Sequence, residues 1–124
     1  MWIFLQRRPA AAKVLHLLTE AMRGRAEILM SSVNFGEAYG LVVREQGLDR
    51  ARATVASLRP SPIRFIDASL QQCTHSAEIK MTYKLHYSDS FAAALAIEHK
   101  ATLVTSDSDF RRLGHNFPVL WLKQ

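Results

Sequence analysis

The stretch that decides the fold is Tyr87-Ser88-Asp89-Ser90-Phe91-Ala92-Ala93-Ala94-Leu95-Ala96, followed by Ala101-Thr102-Leu103-Val104-Thr105-Ser106-Asp107-Ser108-Asp109-Phe110. Alanine and leucine are strong helix formers, so the first part reads as a helix that Ser88 caps and that ends near Lys100. Its body is nearly all Ala, Leu, Phe and Ile, which marks it as buried. His99 and Lys100 close it, and positive charge suits a helix carboxyl end. Ala101 to Thr105 is then a short apolar strand that runs directly into two acids. Asp107 to Leu113 reads as a helical turn.

Working outward from this unit, the same alternation recurs. Ala10 to Arg23 carries Val14, Leu15, Leu17, Leu18 and Met22 at the spacing of a helix with one buried face, and Gly24 is a plausible stop. Glu27 to Ser31 reads as a strand. Ser32 or Asn34 can cap a helix running to Gln46, which Gly47 ends. A further helix covers about Leu48 to Leu58, closed by Pro60 and Pro62. Ile63 to Asp67 is a second strand, Ala68 to Lys84 a helix, and Pro118 to Leu122 a last strand. Strands alternating with helices imply an α/β class, a three-layer α/β/α domain with a mainly parallel sheet of about four strands. Ligands in such folds bind beyond the carboxyl ends of strands, and Thr105-Ser106-Asp107 lies at such an end.

Composition narrows the function classes. A chain of 124 residues, 48% hydrophobic and 22% charged, is expected to form one globular domain over residues 1–124. No apolar run approaches the roughly 18 residues that a membrane span needs, and Met1-Trp2-Ile3-Phe4-Leu5 is broken at once by Gln6-Arg7-Arg8-Pro9. The expected location is the cytoplasm, with no membrane partner. Cys73 is alone, so neither an internal disulfide nor a thiolate zinc cage can form within the chain. The net charge of +5 favours an anionic partner, nucleic acid or an acidic protein. The arginines are spread along the chain, and each cluster by itself reads first as a solvated helix face, so the summed charge is the better evidence. The glycines fit no nucleotide-binding fingerprint, the five histidines show no His-x-x-x-His spacing and read as surface or helix-end residues, and no Gly-x-Ser-x-Gly elbow exists.

The acids remain. Taken singly, Asp107 can cap the turn that follows it, Asp89 can be a favourable charge at a helix start, and Glu37, beside an apolar stripe, can pair with Arg44. A carboxylate at the mouth of a buried helix, however, needs a compensating charge, hydrogen bonds or a metal. Jointly, acids at strand ends and helix starts suit Mg²⁺ or Mn²⁺, which prefer hard oxygen ligands.

Three ordered segments carry a resemblance: Ser32-Val33-Asn34-Phe35-Gly36-Glu37, Tyr87 to Ala96, and Leu103-Val104-Thr105-Ser106-Asp107-Ser108-Asp109-Phe110. In order and spacing they resemble the PIN domain, and within it the VapC toxins of prokaryotic toxin–antitoxin pairs. The resemblance implies that Glu37, Asp89 and Asp107 are catalytic metal-site carboxylates. It also implies that Asp109 is a more variable metal-site acid, and that Thr105 is a supporting hydroxyl near the metal or its water. It further implies a Mg²⁺- or Mn²⁺-dependent ribonuclease, pairing as a homodimer and inhibited by a cognate antitoxin.

One departure stands out. The family opens with a central strand ending in a metal-binding Asp, whereas this chain has no acid before Glu20. Met1 to Leu5 resembles the stretch just after that strand, so the chain reads as N-terminally truncated relative to the family. Three readings account for this: a start assigned too late, a decayed remnant, or recruitment of Met1 to Leu5 as a replacement strand without the acid. The alternative to an enzyme is a catalytically impaired PIN-like binding module that captures an antitoxin or another partner.

Overall fold

The computed structural model describes residues 8–122. Met1 to Leu5, on which the expectation of a lost or replaced first strand rests, lies outside them. The elements run α1 (Arg8–Met22), β1 (Ile28–Ser31), α2 (Ser32–Gln46), α3 (Leu48–Leu58), β2 (Ile63–Ile66), α4 (Leu70–Tyr83), α5 (Tyr87–His99), β3 (Leu103–Thr105), a 3-10 turn (Ser108–Leu113) and β4 (Val119–Trp121). The mixed α/β class and its short parallel strands are as the alternation of the sequence implies.

The strands form two pairs. β1 pairs with β2 in parallel, Ile28 opposite Ile63 and Ser31 opposite Ile66. β3 pairs with β4 in parallel, Leu103 opposite Val119 and Thr105 opposite Trp121. Among the described residues the two pairs are not joined by strand hydrogen bonds. The backbone N–H of Leu122 donates to the Thr105 carbonyl at 2.8 Å, carrying the second pair one residue further.

Helix α5 holds the centre. Phe91, Ala93, Ala94, Leu95 and Ala96 are all buried, so this helix has no solvent face of consequence over its middle. It packs against α4 and α2 and touches both β1 and β3. Ile79 of α4, Leu85, the alanines of α5, Leu103 and Phe110 form the main core, with Phe117, Val119 and Trp121 against it. On the other side of the strands, Val14 and Leu18 of α1 pack on Leu122 and Val104. The Lys13 ammonium donates to the Trp121 carbonyl at 2.7 Å, fixing α1 over the second strand pair.

Local expectations are corrected at three helix starts. Ser31, not Ser32 or Asn34, caps α2, its hydroxyl accepting from the Val33 N–H at 3.2 Å. The Ser32 hydroxyl instead accepts from the Ala68 N–H, 36 positions away. Ser69 caps α4, so that helix begins at Leu70 and not at Ala68. Helix α5 begins at Tyr87 with His86 in the cap position and no side-chain cap bond, so Ser88 lies inside the first turn.

A cavity of about 960 Å³ lies within this frame. It is lined by all four residues of β1, all three of β3, Val14, Leu17 and Leu18 of α1, and Ala92, Leu95 and Ala96 of α5. Beside these mostly apolar groups the lining includes Asn34, Glu37, His86, Ser88, Asp89, Ser106 and Asp107.

Candidate functional site

Asp107 follows the end of β3 and is held from both sides. Its N–H donates to the hydroxyl of Thr105 at 3.0 Å, and its carboxylate accepts from the Asp109 N–H at 2.9 Å. Thr105 is buried, so its hydroxyl is a fixed acceptor that presents Asp107 at the strand end. Asp107 does cap the 3-10 turn, the bland role available to it. That role uses one lone pair of Oδ1 and leaves acceptor capacity on the carboxylate.

Asp89 stands in the first turn of α5, half-buried. Burial pushes its carboxyl pKa up from the ordinary value, and the charges of Asp107, Glu37 and Asp109 push it the same way while His86 opposes them. All four acids therefore lie within electrostatic reach of one point.

Glu37, one turn into α2, is more exposed than its place beside an apolar stripe implies. The ion pair with Arg44, the bland alternative for this acid, is not formed among the described residues. Instead Glu37 Oε2 accepts from the Ser88 hydroxyl at 2.7 Å. Asn34, one turn earlier on α2, donates through Nδ2 to the Ser88 carbonyl at 2.7 Å. Two bonds from α2 thus converge on one residue of α5, the neighbour of Asp89. Asp109 is set apart: it pairs with Arg112 at 3.5 Å and does not line the cavity.

The structure therefore brings Glu37, Asp89 and Asp107 into the lining of one cavity, with Thr105 bonded to the Asp107 backbone and Asp109 bonded to the Asp107 carboxylate through its N–H. Sequence reasoning missed Ser88, Asn34 and His86 as members of this lining. The histidine's place directly before the apolar helix was the available signal for a group near Asp89.

The donor set is carboxylate oxygen, the ligand chemistry of a hard divalent cation, and the repulsion acting on Asp89 is what such a cation would relieve. Among the described residues, no three His, Cys, Asp or Glu side chains are already drawn into a closed ligand group. Carboxylate oxygens are the donor type that hard divalent cations take, but as placed these acids form no such group.

The family model of the PIN domain matches residues 1–116, and the chain belongs to this family. PIN domains are generally nucleases and usually use divalent metal ions. No match was found among curated proteins or among solved structures. Among the described residues, no helix is long and apolar enough to cross a membrane.

Proposed function

We propose that this PIN domain is a Mg²⁺- or Mn²⁺-dependent endoribonuclease acting as the toxin of a VapC-like toxin–antitoxin pair. The observation that carries the reading is the meeting of Glu37, Asp89 and Asp107 in the lining of one cavity, where burial first, and then the charges of Asp107 and Glu37, raise the proton affinity of Asp89. The toxin role, a cognate antitoxin, a homodimer and action in the cytoplasm rest on the resemblance of the three motifs.

In this reading Glu37, Asp89 and Asp107 hold the ion, directly or through water, with Asp109 adding charge from behind. The ion, when bound, supplies charge neutralisation at a phosphodiester and makes its water more acidic. The chain's own groups do the positioning. Thr105 fixes the backbone of Asp107, Ser88 fixes one oxygen of Glu37, and Asn34 locks Ser88 to α2. The excess of arginine and lysine holds the RNA backbone by charge.

The test is cleavage of RNA by the purified chain with Mg²⁺ or Mn²⁺, beside Asp89→Asn and Asp107→Asn and with EDTA as control. Cleavage that needs the metal and both acids is expected. Cleavage by either variant at the wild-type rate would sink the assignment. No cleavage by well-folded wild-type chain would favour the binding-module alternative.

A further inference from the structure

Two acids of the site stand on separate segments. Asp107 leads into the 3-10 turn, and Asp89 follows the loop between α4 and α5. Leu85 of that loop and Phe110 of the turn are buried in one apolar cluster. Apolar contact is non-directional, so it holds the two segments together without fixing the angle between them. The turn adds little rigidity of its own. Its Phe110 N–H reaches the Asp107 carbonyl only at 3.3 Å, and 3-10 bonds have poorer geometry than those of an α-helix.

One side chain joins the two segments by directed bonds. Arg112 Nη1 donates to the Lys84 carbonyl at 2.7 Å, and Nη2 lies 3.5 Å from Asp109 Oδ1. Lys84 ends α4 at a left-handed φ of 57°. Carbonyls at a helix end have no donor within the helix, and Arg112 supplies one. The Asp109 N–H in turn donates to the Asp107 carboxylate at 2.9 Å. A path of polar contacts therefore runs from Asp107 through Asp109 and Arg112 to Lys84, on the loop that enters α5. Arg111 is engaged elsewhere, its guanidinium 4.7 Å from the centre of the Trp121 ring.

We propose that Arg112 is a positioning residue, which ties the turn after Asp107 to the loop before Asp89 and so holds these two acids in relation to each other. A guanidinium suits the task because its nitrogens form a rigid fork that meets two partners at once. Asp109 gains a use in the same way: it stands outside the cavity lining, and its carboxylate anchors Arg112. The charge of Arg112 works against a cation at the site, and only its geometry favours one. The sign of its effect therefore separates the two roles. The consequence for a metal rests on the reading that Glu37, Asp89 and Asp107 hold a divalent ion, whereas the tie itself does not.

The experiment compares the full chain with Arg112→Ala and Arg111→Ala, which remove the same charge from adjacent exposed positions. Both variants are expected to keep the wild-type circular dichroism. Amide hydrogen exchange followed by NMR reads the tie. The amides of Asp109 and Phe110, both bonded to Asp107, are expected to exchange several-fold faster in Arg112→Ala and at the wild-type rate in Arg111→Ala. Mn²⁺ titration followed by electron paramagnetic resonance reads the consequence. Binding is expected to be about tenfold weaker in Arg112→Ala, and as tight as wild type or tighter in Arg111→Ala. Unchanged exchange in Arg112→Ala would overturn the proposal. So would tighter Mn²⁺ binding by that variant, which is what loss of charge alone produces, or equal effects of the two variants. A wild-type chain that binds no Mn²⁺ would instead strike the metal reading, and exchange alone would then decide whether Arg112 ties the two segments.

Discussion

Ser88 precedes an acid and an apolar run, the usual pattern of a helix cap, and the sequence suggests that role. Its hydroxyl instead reaches Glu37, 51 positions away. A partner at that separation leaves no periodic or local trace, so Ser88 and Asn34 were illegible as partners, whereas Glu37, Asp89 and Asp107 stood out because they fall in three ordered motifs that resemble the PIN domain. Ser88→Ala removes the bond that orients Glu37 and leaves the Asn34 bond to the backbone carbonyl intact. The expected result is about tenfold weaker Mn²⁺ binding, read by electron paramagnetic resonance, with the fold unchanged by circular dichroism. Asp89 supports a pH prediction. Its carboxyl binds a proton more tightly in the folded chain than at the ordinary value of 3.8, through burial first and then through Asp107 and Glu37. The folded state thus holds more protons in the window above 3.8, and stability falls as pH rises through it. Asp89→Asn is expected to be the more stable protein at pH 7 without metal, by less than about 1 kcal/mol because the site is partly solvated. The difference should vanish below the unfolded value. Chelator-treated protein melted across a pH series checks this, and a wild-type advantage at pH 7 without metal would contradict it.

At the scale of elements, Gly47 ends α2 and begins α3. Its N–H donates to the Val43 carbonyl at 2.9 Å, and its carbonyl accepts from the Ala51 N–H at 3.1 Å. It does so at φ 89° and ψ 164°, a region essentially closed to residues with a Cβ. An added Cβ would meet nothing within 4 Å, so the penalty of Gly47→Ala is one of backbone conformation alone. The expected loss is about 1–3 kcal/mol in urea unfolding. Gly36 supplies the opposite case. It lies within α2, is also free of neighbours within 4 Å, and has no positive φ. Gly36→Ala is expected to stabilise by about 0.5–1 kcal/mol. These breaks were readable because glycine after a periodic run marks a helix end. The helix starts were less so: Ser31 and Ser32 are adjacent and chemically equivalent, and only the course of the chain decides which caps α2 and which reaches Ala68.

For the whole molecule, alternating strands and helices specify the class but not which strand lies beside which. Each strand's sequence is compatible with a neighbour on either edge, and the division into two pairs could not be read from it. The charge of the whole chain was readable and carries its own prediction. If the basic surface holds RNA by its phosphates, affinity measured by fluorescence anisotropy in EDTA should fall with added salt. With about three phosphates engaged, the logarithmic slope should be near −2. A flat response would remove the electrostatic account of substrate binding. The alanines of α5 bear on the same scale. Ala93 and Ala94 are essentially unexposed, in a helix that touches both β1 and β3. Their methyl groups lie in the core with Ile79, Leu85, Leu103 and Phe110, and act as a gauge block: they set how closely α4 and β3 approach the helix between them. A longer side chain at either position would lever β3 away, and Asp107, carried just beyond β3, would part from Asp89 at the start of α5. Two uncharged positions buried in the core thereby govern the distance between two acids.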